Sequence, residues 1–227
     1  MATLETIGET MNSFWLALAI VLVSTGALGY YAFVVLPAQI HQWRCQSLRA
    51  FARAVELRTH GRFGSADVLA PLARKVALRM GLSLPDRRRL ELAIYLRDIG
   101  MVGIPYAVLN KQTALTPIEQ ITLDRHAELS ASIAEQIPEL WQVAPLVRLH
   151  HVVYSEHPEA PLPAHILSAL DDLLTLSLHG HEHVIARLRH GAGTRYHPQV
   201  VEAIEAVCRN CPLHEAVPLH RSAALWL

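Results

Sequence analysis

The sequence has few cysteines, lysines and aromatic residues, and no excess of charge of either sign. Its three cysteines are too few for a disulfide scaffold. The 20 basic residues balance 20 acidic ones, which argues against a general nucleic-acid binder, since such proteins carry a clear basic excess. Aromatic residues make up 6% of the chain, and Leu and Ala supply most of its apolar residues, a balance that favours helices over strands. Histidine is abundant, with 14 residues, so the question is which of them lie close together in the folded protein.

Charge is absent between Glu9 and Arg44, and most of that stretch is apolar. A bilayer core about 30 Å thick needs roughly 20 such residues, so the segment is long enough to span a membrane. A cleaved signal peptide would carry positive charge before a shorter apolar run, whereas the residues before this run include acidic side chains and no Lys or Arg. The sequence therefore predicts a transmembrane helix at residues 13–37, after a short extracytoplasmic N-terminus at residues 1–12.

Basic residues follow the predicted span and none precedes it. Because positive charge concentrates on the cytoplasmic side of a span, we expect the C-terminal part of the chain in the cytoplasm. Pro37 predicts a break before a juxtamembrane helix at residues 38–60. The apolar stripe of that helix either pairs with a second copy in a homodimer or packs on the domain that follows. The basic residues that set the orientation are Arg44, Arg49, Arg53 and Arg58.

The rest of the chain consists of successive apolar-periodic segments separated by short breaks, with no sustained strand alternation. Ser83 stands at a helix start with Asp86 three positions later, and Thr116 begins a capping box that Glu119 completes. We therefore predict an all-α bundle. Its predicted helices cover residues 66–80, 84–97, 117 through His126, 139–153, 163–178 and 198–209.

Several polar residues interrupt these apolar helices or stand at their ends, where burial without a partner would cost a few kcal/mol each. We expect them to meet one another, a metal ion or a basic side chain. Imidazole and carboxylate groups from several helices of a bundle are typical ligands of a divalent metal, although each residue alone is more often a hydrogen-bonded core group. The residues are Asp98, His126, His150, His151 and Asp171.

The order and spacing of these residues resemble the HD-GYP family, the metal-dependent phosphodiesterases of the HD superfamily that hydrolyse the bacterial messenger cyclic di-GMP. The strongest match is Leu-Arg-Asp-Ile-Gly-Met-Val-Gly-Ile-Pro at residues 96–105, where the family reads L-H-D-I-G-K-x-G-I-P. The resemblance covers residues 53–208 and implies an HD-domain-like helical bundle, placed at residues 61–211 before a C-terminal tail at 212–227. Shorter matches lie at residues 109–111, 115–117, 125–128, 150–151, 166–171, 192–194 and 197–198.

The resemblance implies a binuclear metal centre, and this chain keeps the ligands of one half of it. We expect one divalent ion there (Fe, Mn or Zn), against the alternative that no metal binds and the histidines are hydrogen-bonded core groups. Asp98 would also be the catalytic group if the protein is active. The retained ligands are Asp98, which would bridge both metals, and His126, His150 and His151.

The other half of the implied centre has lost two of its ligands. Asp98 and Asp171 are present, but Ser65 and Arg97 stand where the family has histidines, and the G-Y-P loop is missing after His151. A guanidinium has no acceptor lone pair and stays protonated, yet its charge-assisted hydrogen bonds let it stand where a cation stood. We hypothesise that Arg97 fills the vacated metal position and neutralises Asp98 or Asp171.

Two functions are compatible with these residues. Three independent losses, two ligands and a loop, favour a membrane-anchored signalling or scaffold protein related to cyclic di-GMP, because two-metal hydrolysis needs both ions. The alternative is a metal-dependent phosphodiesterase or phosphohydrolase that acts through the residual metal site. The predicted span, together with the bacterial family it resembles, places the chain in the bacterial inner (cytoplasmic) membrane. The expected partners are the membrane, a cyclic dinucleotide, a signalling protein or a second copy, and no nucleic acid.

Two further patterns resemble metal sites less closely. Alternate residues of the tract His179–His183 do not share a helix face, and the pair Cys208 and Cys211 has no second CxxC. We interpret the first as an exposed turn and the second as two ordinary thiols.

Overall fold

The structure is a computed structural model that describes residues 2–60, 64–177 and 181–210. Cys211, the predicted tail at 212–227 and the His179 end of the histidine tract lie outside these residues. The described residues form helices and turns without a β-strand, which confirms the all-α prediction. The α-helices are α1 (Ala2–Tyr30), α2 (Leu36–His60), α3 (Ser65–Arg79), α4 (Leu84–Leu96), α5 (Tyr106–Leu109), α6 (Pro117–Asp124), α7 (His126–Glu135), α8 (Ala144–Arg148), α9 (Leu162–Ser177), α10 (His181–His190) and α11 (Pro198–Asn210).

The chain divides into two compact units, Met1–Arg44 and Cys45–Leu227. The first unit contains α1 and the beginning of α2, and its apolar side chains from residue 11 onwards are mostly exposed. Among the described residues, one helix, Met11–Thr59, is long and apolar enough to cross a membrane by its length and composition. An exposed apolar surface of this extent is what a bilayer-spanning helix requires.

The helix does not break at Pro37, contrary to the prediction from the sequence. Proline has no N–H to donate, and its ring crowds the preceding turn of a helix. Here the helix widens just before the proline: Tyr31–Val35 is a π-helical turn, in which Leu36 N donates to Tyr31 O. Because the wider turn accommodates the missing hydrogen bond, α2 continues through Pro37.

The core of the second unit surrounds α9. This helix packs against α3, α4, α8, α10 and α11. Its apolar side chains between Ala164 and Leu173 are buried, while Leu162, Leu174 and Leu176 are partly buried. Full burial of one such side chain contributes roughly 1.5–3 kcal/mol, so α9 is a rigid support for Asp171, which follows Leu170 on it. The largest fully buried apolar side chains are Leu69, Val76, Leu90, Ile94, Leu96, Ile166, Leu167, Leu170, Leu173, Leu188 and Ile204.

The two helix starts predicted from capping residues are confirmed. Ser83 Oγ accepts a hydrogen bond from Asp86 N at the start of α4, at 3.3 Å. Thr116 and Glu119 form a reciprocal capping box at the start of α6. Such caps satisfy backbone N–H groups that would otherwise lack partners, and they fix where α4 and α6 begin.

Two predicted helices are shorter than expected. The segment that leads to His126 is two helices, α6 and α7, which meet at Arg125. The expected helix at 139–153 is reduced to α8. Glu139 has a φ of 68°, a left-handed conformation that a right-handed helix cannot include, and residues 149–151 form turns. His126 stands at the start of α7, and His150 and His151 follow the end of α8.

The turn after α4 crosses α7 at a glycine. Gly100 N donates to Ser130 Oγ at 2.8 Å. A Cβ at Gly100 would lie against the carbonyl oxygen of His126 and 2.6 Å from Ser130 N. Only a residue without a side chain permits so close an approach of two backbones. The crossing brings Asp98, two residues earlier, next to His126.

Replacing Gly100→Ala should lower the free energy of unfolding by about 2 kcal/mol or more, because the added methyl meets backbone atoms of α7 that cannot rotate away. Gly103→Ala is the matched control, since its methyl would meet only the flexible end of Leu129, 3.1 Å away. Chemical denaturation of the full chain in detergent measures both losses. Equal losses in the two variants would contradict this crossing.

Candidate metal centre

Three imidazole side chains meet at one point in the second unit. His126 is the first residue of α7, and His150 and His151 follow α8. His126 Nε2 lies 3.1 Å from His150 Nε2 and 3.2 Å from His151 Nε2. The ligand atoms of all three lie within 4.8 Å of one another. The structure thus brings together three of the residues that the sequence singled out as metal ligands.

Hydrogen bonds to the backbone fix the protons of two of these rings. His126 Nδ1 lies 2.7 Å from Leu123 O, and His150 Nδ1 lies 2.6 Å from Val147 O. Because a carbonyl oxygen can only accept, each Nδ1 carries the proton and donates it. In the neutral rings Nε2 then holds a lone pair, and the two lone pairs face each other across 3.1 Å. Two acceptors cannot bond to each other, whereas a cation between them satisfies both.

Burial keeps the imidazoles of His150 and His151 uncharged. The side chain of His150 is fully buried, while that of His151 is 45% exposed. Burial first, and the neighbouring His151 second, lower the pKa of His150 to about 3. Burial likewise lowers the pKa of His151. A neutral imidazole with a free lone pair is the form that binds a metal.

Asp98 reaches the same point from the turn after α4. Its Oδ1 lies 3.8 Å from His126 Nε2 and 4.0 Å from His150 Nε2. Burial acts to raise the pKa of Asp98, but the Arg97 guanidinium outweighs it and holds that pKa below its ordinary value. The carboxylate is therefore ionised and offers an acceptor oxygen to the centre of the three imidazoles.

Arg97 lies between two carboxylates. Its side chain is 4% exposed, and its Nε lies 2.7 Å from Asp171 Oδ1 and 3.1 Å from Asp98 Oδ2. Burial acts to lower the pKa of Arg97, but the two carboxylates raise it above its ordinary value. Burial raises the pKa of Asp171 despite this contact, and Asp171 Oδ2 also lies 3.7 Å from His151 Nδ1. The guanidinium is a permanent buried cation at the junction of α4 and α9.

A carboxylate that sequence reasoning missed completes this network. Arg97 Nη2 donates to Ser65 Oγ at 3.3 Å, and Ser65 Oγ in turn donates to Glu56. Glu56 is buried and accepts hydrogen bonds from backbone N–H groups at the start of α3, at 2.6 and 3.0 Å. The sequence does mark Glu56 in one way, because it is the only acidic residue between positions 10 and 66.

The segment after His151 is a series of turns tied to the segment before α11. Tyr154 N donates to Arg195 O at 3.1 Å, and Ser155 N donates to Thr194 O at 2.8 Å. The Arg195 side chain donates to His151 O at 3.1 Å. This connection fixes the backbone of one of the three site histidines.

The weaker sequence patterns lie apart from this cluster or outside the described residues. Cys208 is buried in the core on α11, and its predicted companion Cys211 is not among the described residues. In the histidine tract, residues 181–183 belong to the first turn of α10, so this part of the predicted exposed turn is wrong. The rest of the tract lies outside the described residues.

The cluster fits a single divalent metal ion. Ligand atoms about 2.1 Å from a tetrahedral ion lie about 3.4 Å apart, and the distances among Nε2 and Oδ1 atoms given above run from 3.1 to 4.0 Å. The charges agree, because three carboxylates (Glu56, Asp98 and Asp171) interact with one guanidinium, leaving negative charge that a cation would compensate. The space between Asp98 and Asp171 is taken by Arg97. The residues that could hold the ion are Asp98, His126, His150 and His151.

Comparison with known proteins agrees with the resemblance found in the sequence. The family model described as HD domain matches residues 49–200, a range that contains every residue of the cluster. A relative is the cyclic di-GMP phosphodiesterase response regulator RpfG of Xanthomonas campestris pv. campestris, which is 30% identical over 143 residues. The aligned part is 59% of this chain and 38% of the relative, so the chain spans well under half of that protein's length.

His150 should make the folded state sensitive to acid. Its pKa is about 3 in the folded protein against 6.5 for an ordinary imidazole, so the unfolded chain takes up a proton that the folded state does not. The resulting stabilisation is complete above pH 6.5 and is lost as the pH falls towards 3. In metal-free protein, His150→Gln should reduce the change in the free energy of unfolding over this pH range by a few kcal/mol.

The measurement is urea unfolding in the presence of a chelator, over the pH range between these two values. His157→Gln is the matched control, because His157 is exposed and pairs with Glu159 at the surface. If His150→Gln leaves the pH dependence of the unfolding free energy unchanged, His150 is not the buried neutral group described above.

Proposed function

The chain belongs to the HD domain family, and from this we propose that it is a membrane-anchored signalling or scaffold protein related to cyclic di-GMP, with hydrolysis impaired or absent. HD domains typically bind divalent metals. The observation that carries the proposal is the buried guanidinium of Arg97 between Asp98 and Asp171, the carboxylates that the resemblance assigns to the second metal.

The chemistry of phosphodiester hydrolysis gives this observation its weight. In a two-metal site one ion generates the attacking hydroxide, and both ions clamp the oxygens of the phosphoryl group. A guanidinium can neutralise carboxylates or bind a phosphate oxygen, but it cannot coordinate a water and lower its pKa. With Arg97 in the second position, the chain keeps the charge of that position and loses its nucleophile-generating role.

The remaining half of the centre would hold one divalent ion, Fe, Mn or Zn, through Asp98 and three histidines. Such an ion supplies a Lewis acid and an acidic bound water. The residues of this chain would orient it: backbone carbonyls hold the rings of His126 and His150 at their Nδ1 atoms, and Arg97 holds the far oxygen of Asp98. In the scaffold function this ion would keep the domain in one conformation for its ligand or partner.

The alternative function is a phosphodiesterase or phosphohydrolase that acts on cyclic di-GMP or another phosphoester through this one metal. It is favoured by the same four ligand groups, since one carboxylate and three imidazoles are a sufficient set for a catalytic ion. Asp98 would then be the catalytic residue. The relative's name, a cyclic di-GMP phosphodiesterase, supports this class of substrate.

The proposal includes a place for the protein in the cell. The long apolar helix would be a single-pass anchor in the bacterial inner membrane, with the HD domain in the cytoplasm because basic residues follow the span. The proposed partners are the membrane, a cyclic dinucleotide, a signalling protein and a second copy of the chain. Binding to nucleic acid is not part of the proposal, because the chain has no net charge.

The full chain, purified in detergent and loaded with Mn²⁺, should contain one metal ion per chain by elemental analysis. His126→Ala should abolish this binding, because it removes the ring that faces both other histidines, while His157→Ala at the surface should leave it unchanged. Two ions per chain in the unaltered protein would contradict the assignment of Arg97 to the second metal position.

The same preparations decide between the two functions. Each is given cyclic di-GMP, the linear dinucleotide pGpG and a generic phosphodiester. We expect no turnover together with retained binding of cyclic dinucleotide. Turnover that His126→Ala abolishes and His157→Ala does not would establish the enzyme instead. If the protein binds neither metal nor nucleotide, both functions are wrong.

Restoring the two missing histidines should restore the second ion. The double variant Ser65→His and Arg97→His removes the guanidinium and places two imidazoles beside Asp98 and Asp171, so two Mn²⁺ ions per chain are expected. The single variants are the controls and should each gain no stable second ion, because a three-ligand position binds more weakly. A double variant that still holds one ion would show that Arg97 is not what excludes the second.

A further inference from the structure

We propose that Glu56 is a positioning residue of the candidate metal site: acting through Ser65, it holds the Arg97 guanidinium in place. The inference rests on the proposed function, since it concerns how that metal site is held. It assigns to the C-terminal end of α2 a role in the geometry of a centre whose ligands all come from later parts of the chain.

The surroundings of Glu56 show that its carboxylate is fixed. The residue is 4% exposed. Its Oε2 accepts from Gly64 N at 2.6 Å, its Oε1 accepts from Ala66 N at 3.0 Å, and the hydroxyl of Ser65 donates to it. These donors form the start of α3, where the helix dipole also favours an anion. Helix α3 has no side-chain cap of its own at Gly64, so Glu56 of the preceding helix takes that place.

Ser65 connects the fixed carboxylate of Glu56 to Arg97 through two hydrogen bonds. Its Oγ has one proton, which it donates to Glu56, and lone pairs that accept from Arg97 Nη2 at 3.3 Å. Because the guanidinium is planar, holding Nη2 on Ser65 and Nη1 on Ile94 O leaves Nε directed at Asp171 and Asp98. Each of the three nitrogens of the guanidinium thereby has a partner.

Asp98 is the point where this chain of contacts meets the metal ligands. Its Oδ2 contacts Arg97, while its Oδ1 faces His126 and His150. If the guanidinium shifts, the carboxylate loses the contact that orients it. Removing groups that orient a metal ligand typically lowers metal affinity about 10- to 100-fold.

Helix α2 is held in place by further contacts on either side of Glu56. Arg53 Nη2 lies 2.6 Å from Asp67 Oδ2 on α3. Arg58 donates to Val102 O at 2.5 Å and to Ile104 O at 3.2 Å, in the segment that follows Asp98. The Arg53 pair provides a matched control, because Asp67 joins the same two helices as Glu56 but does not contact Ser65 or Arg97.

The test uses the full chain in detergent, with Mn²⁺ as the probe. Glu56→Gln removes the charge and keeps one of the two acceptor oxygens. Ser65→Ala removes the connecting hydroxyl and leaves both oxygens of Glu56 to accept from the backbone at the start of α3. Each variant should weaken Mn²⁺ binding about tenfold. Asp67→Asn breaks the ion pairs of Asp67 on α3 with Arg49 and Arg53 on α2 and should change Mn²⁺ affinity less than about twofold. If Asp67→Asn weakens binding as much as the other two, packing of the helices explains the effect and the inference is wrong.

A mutant cycle separates a positioning role from a purely structural one. Arg97→Lys keeps a cation but has no planar fork to reach Ser65. If Ser65 acts through Arg97, then Ser65→Ala added to Arg97→Lys should weaken Mn²⁺ binding by less than about a further twofold. If the loss of Mn²⁺ affinity in the double variant equals the product of the two single losses, the two residues act separately and the inference is overturned.

The same cycle is also measured on metal-free protein by thermal unfolding. This distinguishes a failure of the proposed metal site from a failure of the inference about Glu56. If the unaltered chain binds no Mn²⁺, the metal site is lost but the contact chain is still tested. The Tm losses of Ser65→Ala and Arg97→Lys should then be less than additive in the double variant. If the Tm losses are strictly additive, Ser65 does not link Glu56 to Arg97, and the inference is wrong whether or not a metal binds.

Discussion

The contacts of Arg97 with Asp98 and Asp171 constrain the rest of the site. Taking a guanidinium out of water is costly, and the attraction to carboxylates repays this only when the geometry is good and the remaining N–H groups are satisfied. Here Ile94 O and Ser65 Oγ take two of them. A buried ion pair of this kind adds little net stability, but removal of one partner costs about 3–5 kcal/mol. The contact therefore acts as a positional constraint, and α4 and α9 cannot shift relative to each other without breaking it.

The constraint reaches the histidines because Asp98 has two oxygens with different neighbours. One oxygen is satisfied by Arg97, so the other is free to face His126 and His150. The backbone crossing at Gly100 brings the carboxylate to that distance, and the carbonyl bonds of the imidazoles turn their Nε2 atoms to the same point. Imidazole nitrogens and a carboxylate oxygen held in fixed orientation around one point are the arrangement that a metal ligand set needs before the ion arrives.

How far the sequence could predict this site depends on the range of each interaction. The helix starts at Ser83 and Thr116 were predictable because a cap involves residues three positions apart. The continuity of the helix at Pro37 was not, because a π-helical turn absorbs the proline without a sequence signature. Glu56 was missed for a different reason: its partners at the start of α3 follow a turn, and neither the resemblance nor local spacing marks it. The convergence of the histidines was predicted from the family resemblance, whereas the tautomers that aim them depend on helix ends that periodicity placed wrongly.

The geometry also changes how the two lost ligands are counted. Judged from the sequence, Ser65 and Arg97 are independent losses. In the structure Arg97 Nη2 donates to Ser65 Oγ, so the two substitutions are in contact. A histidine at 65 would place a ring where the guanidinium lies, and a serine there without Arg97 would leave two carboxylates facing each other with no cation between them. Under the proposed function, the pair is therefore better understood as one exchange, in which a covalently attached cation would take the place of a removable metal ion. That exchange would keep the charge at the site and would give up the bound water that a metal supplies, since no proton can be taken from the guanidinium at any pH at which the protein is folded.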